Sequence, residues 1–310
     1  MNILDKIKNY EFDIIELPSR GLFYNIGRSF VFIKFITPKE ENILSAPFLS
    51  ETDLAIDMVI ESVLLDDIPV DDLLSVDRKA IIMFLRSKAF QDSFELDVQC
   101  SNCSAEFRKE FRFSDFQMSD TVEPPFDGFY ELFFRPNDKS DSNFLIKFKP
   151  LTHRDDKIIK KYYSDKFATY ETIFQIHSID DNEDKKFIIN FVERMPIKKF
   201  KSLKKTIDSM IPKIYEELTI ECDSCGNVEK SAFKIDDGIL KLGAEYRKGY
   251  ENEMFLLQYY GQGGYNRESI FNMSVNQRRV AIERINEEVE KKNKAEQEAI
   301  NKSKQKKTRV

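Results

Sequence analysis

The sequence predicts an α+β fold: two pseudo-repeated units of β-hairpin, helices and CxxC zinc hairpin, joined by a shared zinc-ribbon-like site and followed by a C-terminal helical segment. Three observations predict it. All four cysteines fall in two CxxC pairs, Cys100-Ser101-Asn102-Cys103 and Cys222-Asp223-Ser224-Cys225. Both pairs are flanked by alternating apolar residues of strand type. A helix-start pattern, Thr37-Pro38-Lys39-Glu40-Glu41-Asn42-Ile43-Leu44, returns as Thr152-His153-Arg154-Asp155-Asp156-Lys157-Ile158-Ile159.

Phe12, Ile14 and Ile15 lead into Leu17-Pro18-Ser19-Arg20-Gly21, whose Pro and Gly mark a turn, and Ser29 to Ile36 form the returning strand. Thr37 offers an N-cap hydroxyl, Pro38 a first helical position and Glu40 the reciprocal carboxylate of a capping box. Helical spacing of Leu54, Met58, Val59 and Val63 predicts a helix over 53–65, and that of Ile81, Phe84, Leu85 and Ala89 one over 77–90, with Pro69 between them. Phe94, Leu96 and Val98 enter the first CxxC; Phe107, Phe111 and Phe113 leave it.

After Pro124-Pro125 the design starts again. Residues 129–135 and 144–150 form a hairpin around the polar loop 137–143, and helices follow at 169–177, 185–194 and 200–215, with Met195-Pro196 standing where Ile68-Pro69 stood. Leu218 and Ile220 enter the second CxxC and Val228, Phe233 and Ile235 leave it. From Thr37 to Cys100 is 63 residues, and from Thr152 to Cys222 is 70. Duplication is therefore expected, with units 1–120 and 121–238, a helical segment 239–290 and a charged tail 291–310 that is a frayed helix or disordered. In the third segment Met254, Leu257 and Tyr260 suggest a short helix, Gly261 to Gly264 a break, and Ser274 the cap of a long helix carrying Val275, Ile282 and Ile285. These three are candidates for docking on a neighbour or for packing on the chain's own core.

Two thiolates separated by two residues bind one metal ion from a tight turn, and zinc takes four such ligands in a tetrahedron. Cys100, Cys103, Cys222 and Cys225 are accordingly expected to form one closed structural zinc site, with no open position for catalysis. A redox CxxC opens a helix after a buried strand, whereas strand character continues here.

The formal charge of −6, from 54 acidic and 48 basic side chains, argues against a dedicated nucleic-acid binder. Met1 to Tyr10 has no secretion signal, and Ala80 to Leu85, the longest strongly apolar run, is far below a membrane span. Cysteines suited to metal place folding in a reducing cytoplasm. The two histidines, His153 and His177, lie outside any metal-binding or catalytic motif and are expected at the solvated surface; Gly261 to Gly264 lacks the pattern of a phosphate loop. Adjacent acids such as Asp66-Asp67, Asp71-Asp72, Asp155-Asp156 and Asp180-Asp181 suit helix ends and loops, so neither an enzyme nor a small-molecule site is expected.

The order of these features, with Leu17 to Gly21 and Tyr24, Thr37 to Glu41, an Asp77-Arg78-Lys79 helix into Arg86 and a strand into Cys100, resembles the T-even-type phage baseplate hub subunit family. The stretch from Tyr259 through 266–273 into Arg278-Arg279 is also similar to that family's final helices. The resemblance covers mainly 17–113. It implies a structural or assembly component of a contractile-tail baseplate, located in the virion after assembly in the host cytoplasm, with other hub or tail proteins as partners. Two rivals accompany it: a transient tail-assembly chaperone, and a zinc-ribbon nucleic-acid adaptor using Arg108, Lys109 and Arg112.

Overall fold

A computed structural model describes residues 7–8, 10–46, 54–120, 123–124, 127–136 and 143–307. Pro125 and most of the expected 137–143 loop lie outside these residues, as do Asp53 at the expected start of one helix and the last three residues of the tail. In chain order the strands are β1 (Phe12–Glu16), β2 (Phe30–Lys34), β3 (Ser93–Gln99), β4 (Glu106–Arg112), β5 (Tyr130–Phe134), β6 (Phe144–Phe148), β7 (Ile176–Ile179), β8 (Glu217–Glu221) and β9 (Val228–Ala232). The helices are α1 (Pro38–Leu44), α2 (Leu54–Val63), α3 (Ser75–Ala89), α4 (His153–Tyr162), α5 (Phe167–Gln175), α6 (Lys185–Glu193), α7 (Ile197–Met210), α8 (Ala244–Tyr260), α9 (Arg267–Phe271) and α10 (Val275–Lys307). The architecture is α+β, as expected.

By their contacts these elements fall into two compact units, residues 1–34 with 64–239, and residues 35–63 with 240–310. The first unit holds all nine strands of the described residues. Its β1-β2 hairpin is extended at Leu64, which bridges Ile33, while Leu65 N–H donates to the Phe32 carbonyl (3.0 Å) and Asp66 accepts from Phe32 N–H (2.7 Å). The same device recurs around β6: Ile179 of β7 pairs with Ile146, Asp180 N–H donates to the Leu145 carbonyl (2.8 Å), and Asp180 accepts from Leu145 N–H (2.8 Å). This third strand was not expected. Helix α5 ends at Gln175 and the β-branched Ile176 and Ile179 pair with β6, so His177 sits on a strand and not in the helix expected over 169–177.

The expected helix over 200–215 also shifts. Pro196 caps α7 in extended conformation, and α7 stops at Met210 because Pro212 holds Ile211 extended (φ −83°, ψ 151°). Counted by the 122-residue offset between Cys100 and Cys222, α7 corresponds to α3, whose N-cap Leu74 (φ −62°, ψ 141°) matches Pro196 (φ −56°, ψ 136°). Pro196 thus stands in the place of Leu74. Pro69 instead caps a 3-10 turn at Val70–Asp72.

The Leu17 to Gly21 turn is anchored to α3. Asp77 accepts from Ser19 N–H (3.0 Å), Ser19 Oγ (2.6 Å) and Tyr24 Oη (2.7 Å), and Tyr24 Oη accepts Leu74 N–H (2.7 Å). Gly21 is required there: its φ is +69°, and a Cβ would lie 2.1 Å from the Arg28 carbonyl oxygen. His153 is buried against expectation, its N–H donating to the Leu73 carbonyl at 2.7 Å beside the Leu74–Thr152 bridge. His177 is half-buried, its ring stacked on Phe129 at 4.2 Å.

In the second unit α1 carries its capping box, with Glu40 accepting from Thr37 N–H (2.9 Å) and Oγ1 (2.6 Å). Helix α8 is longer than expected because Tyr246, Tyr250, Met254 and Leu257 form one helical stripe whose tyrosines are easily discounted as apolar. Tyr246 Oη donates to Glu41 (2.6 Å), and the fully buried Arg278 of α10 pairs with Glu41 (2.7 Å) and Glu253 (3.2 Å). Val275 is buried, its N–H donating to the Ile36 carbonyl (3.2 Å), and Ile282 and Ile285 pack on Leu257, Ile270 and Ala281. Those three residues serve the unit's own core. Helix α10 continues to Lys307 through the segment expected to be a frayed helix or disordered, with Glu288–Lys291 (2.8 Å) and Glu290–Lys294 (3.9 Å) pairs along it.

Candidate metal centre

The four cysteines are carried by two hairpins of the first unit. β3 pairs with β4 and β8 with β9, and five rungs match at the 122-residue offset, from Glu95↔Glu110 with Glu217↔Ala232 to Gln99↔Glu106 with Glu221↔Val228. Each hairpin turns through its CxxC in the same way. Cys100 N–H donates to the Ala105 carbonyl and Ser104 N–H to the Cys100 carbonyl; Cys222 N–H donates to Asn227 and Gly226 N–H to Cys222, all at 2.9 Å. The residue after each second cysteine is left-handed, Ser104 at φ +57° and Gly226 at φ +68°.

These turns present their thiols to one another. Cys100 Sγ lies 3.7 Å from Cys225 Sγ, Cys103 Sγ lies 3.7 Å from Cys222 Sγ, and all four sulfurs are within 4.8 Å of each other. A tetrahedron with metal–sulfur bonds near 2.3 Å separates its sulfurs by about 3.8 Å. The donor set is therefore sized for one tetrahedral ion. Cys100 and Cys222 are buried and Cys103 and Cys225 exposed, so each turn contributes one inner and one outer ligand.

The electrostatics favour a cation at the centre. The Asn227 amide and the Asn102 side-chain amide, 3.7 Å from Sγ, pull the Cys225 thiol down to about 6. At Cys103 the Ala105 amide also favours the thiolate, yet the surrounding Cys225, Cys100 and Cys222 thiols push its pKa up to about 12. Four thiols gathered this closely cannot all ionise without a positive charge among them.

Beneath the sulfurs the hairpins share an aromatic core, with Phe94 on Phe233 (4.7 Å) and Phe113 (4.9 Å), and Phe116 on Phe233 (5.4 Å). Lys79 of α3 pairs with Glu216 (2.6 Å), Ser101 with Glu229, and Lys109 with Asp223 (3.3 Å). Met118 bridges Ile214, with Tyr215 N–H donating to the Gln117 carbonyl (2.8 Å). Sequence reasoning found the four cysteines but not Asn102 or the left-handed Ser104; only Gly226, conspicuous after its CxxC, hinted at the second feature.

Other candidate residues are committed elsewhere. Asp71 and Asp72 pair with Lys157 (2.7 Å) and Arg154 (2.8 Å), Asp66 with Arg28, and Asp155 caps α4. Arg108, which the nucleic-acid rival would use, is paired with Asp97 (2.8 Å) and Glu95 (3.4 Å).

Comparison with known proteins decides the family. The model described as T4 bacteriophage base plate protein matches residues 10–237. The chain belongs to this family. The match spans β1 to β9 and both CxxC pairs, and it ends before α8. No curated protein and no solved structure matches the chain. Membership in the base plate family makes the chain a structural component of the phage tail, which works beside other tail proteins. No helix among the described residues is long and apolar enough to cross a membrane.

Proposed function

We propose that this base plate protein is a structural or assembly component of the baseplate hub, and that one zinc ion on Cys100, Cys103, Cys222 and Cys225 ties its two halves together. The observation that carries the zinc reading is the sulfur geometry: ligands from hairpins 119 residues apart meet at tetrahedral spacing. Four thiolates would fill the coordination shell, so the ion would hold structure and perform no chemistry. Duplication into 1–120 and 121–238 belongs to the same reading, supported by the matched registers and by the repeated third-strand device around β2 and β6. The rest, 239–290 and 291–310, supplies the helical addition. Partners are other hub or tail proteins, assembly takes place in the host cytoplasm, and the mature location is the virion.

The test is quantitative mass spectrometry of salt-washed virions, with metal analysis of the purified chain under reducing conditions. Retention at a few copies per particle together with one zinc per chain is the expected result. Presence in assembly intermediates and absence from virions would instead establish a transient chaperone. A chain with four freely reactive thiols and no metal would remove the zinc reading and leave the family untouched.

A further inference from the structure

Helices α3 and α7 correspond at the 122-residue offset, yet their outward faces meet different surroundings. On α3, Val76, Ala80 and Met83 pack with Ile214, Leu218 and Ile220 of the second half, and Lys79 grips the Glu216 carboxylate at 2.6 Å. The corresponding α7 positions are Lys198, Ser202, Lys205 and Lys201, and all four are exposed. Lys201 falls on the position of Lys79. The three lysines are spaced i, i+3, i+7 and so share one face. Among the described residues their ammonium groups have no ion pair, whereas the neighbouring Lys204 pairs with Glu171 (3.1 Å) and Asp208 (3.7 Å).

In the first half this seat is filled by a segment presenting a carboxylate to Lys79 and apolar side chains beside it. In the second half the same seat is lysine-rich, on a chain of net charge −6. We infer that the Lys198, Lys201, Lys205 face of α7 is a docking site for a carboxylate-bearing segment of another tail protein, gripped by Lys201 as Glu216 is gripped by Lys79. Charge complementarity gives such a contact its orientation and its salt dependence. Asp208, three positions beyond Lys205 and seven beyond Lys201, puts a carboxylate at the edge of this face, which disfavours a polyphosphate chain as the occupant.

This inference rests on the baseplate reading, and the experiment separates the two. A photo-crosslinking amino acid replaces Ser202 in the full chain, and virions are purified and irradiated. Mass spectrometry first scores whether the chain is in the particle, then identifies the crosslinked peptide. The expected product is an Asp/Glu-rich peptide of a different tail protein, with yield reduced about tenfold by Lys198→Glu, Lys201→Glu and Lys205→Glu together. The triple variant must melt as the parent does and carry the same metal content, which separates lost docking from lost folding. A crosslink to nucleic acid or to a second copy, no crosslink, or a yield unchanged by charge reversal would overturn the inference while leaving the baseplate reading in place. Absence of the chain from the particle would overturn both the inference and the reading of the chain as a resident component of the virion.

Discussion

Replacing Tyr24 by Phe removes one oxygen and no packing volume, which makes it a clean probe of the motif that ties the first turn to α3. The hydroxyl donates to Asp77 (2.7 Å) and accepts Leu74 N–H (2.7 Å), and Leu74 is buried at the N-cap. Burial, then the neighbouring Asp77 carboxylate, raise the Tyr24 pKa far above that of free tyrosine, so its donor proton persists across the accessible pH range. Loss of the acceptor orphans a buried N–H, at a cost of about 1–3 kcal/mol. Loss of the donor weakens Asp77, but Ser19 N–H and Oγ remain on it, so this term belongs near the low end of the 1.5–3 kcal/mol range typical for charged groups. The sum is about 3 kcal/mol, or roughly 6–12 °C in melting temperature for a unit of this size. Calorimetry and urea titration at constant m measure it. A fall below about 1 °C would refute the assignment of Tyr24 as the pin, as would a Tyr24→Phe, Asp77→Asn cycle with no coupling.

Burial also raises the Asp77 carboxyl above its ordinary value. The stability linked to that shift is complete below the unfolded pKa near 3.9 and disappears as pH rises through the native value, so Asp77→Asn should cost more at pH 4 than at pH 8 in urea titrations. Ser104→Gly should stabilise the first CxxC turn by about 0.5–1 kcal/mol, and Gly226→Ala should destabilise the second by about 1 kcal/mol although open space surrounds its Cβ, because both effects arise from positive φ. Thermal melts of the two variants and the parent chain compare them. Arg278→Met should destabilise the second unit by about 3–5 kcal/mol, since Glu41 would be left fully buried without its cation; helix loss followed by circular dichroism reports it.

The sequence made the hairpins legible because cysteine spacing and strand alternation act over a few residues. The capped starts of α1 and α4 were legible for the same reason: a hydroxyl and an acid three positions apart satisfy each other locally. Strand β7 was hidden, because Ile176 to Ile179 pair with β6, some thirty residues upstream, and a helical pattern runs directly into them. His153 was misplaced at the surface because its backbone pairs with Leu73, eighty residues upstream, a contact that local charge cannot reveal. Val275, Ile282 and Ile285 stood as a stripe with two possible owners, and only the packed Leu257 and Ile270 identify the owner as the same unit.

If the metal is present, its largest effect is on chain entropy, because each CxxC turn already closes through its own backbone hydrogen bonds. The tie from Cys103 to Cys222 spans 119 residues, and closing a flexible loop of that length costs on the order of 4 kcal/mol, relieved in the native state by a bound ion. Chelation of the purified chain should therefore leave the hairpin signal in far-UV circular dichroism largely intact while lowering the melting temperature by about 10 °C. Cys103→Ser and Cys222→Ser should each reproduce much of that loss, since three thiolates hold a tetrahedral ion less tightly than four. A fall of less than about 2 °C would mean that the Phe94–Phe233 stack, the Lys79–Glu216 pair and the Met118–Ile214 bridge already hold the hairpins together. In that case the four thiols would be a secondary fastening on an interface set by aromatic packing, and the metal's contribution would have to be sought in the assembled particle.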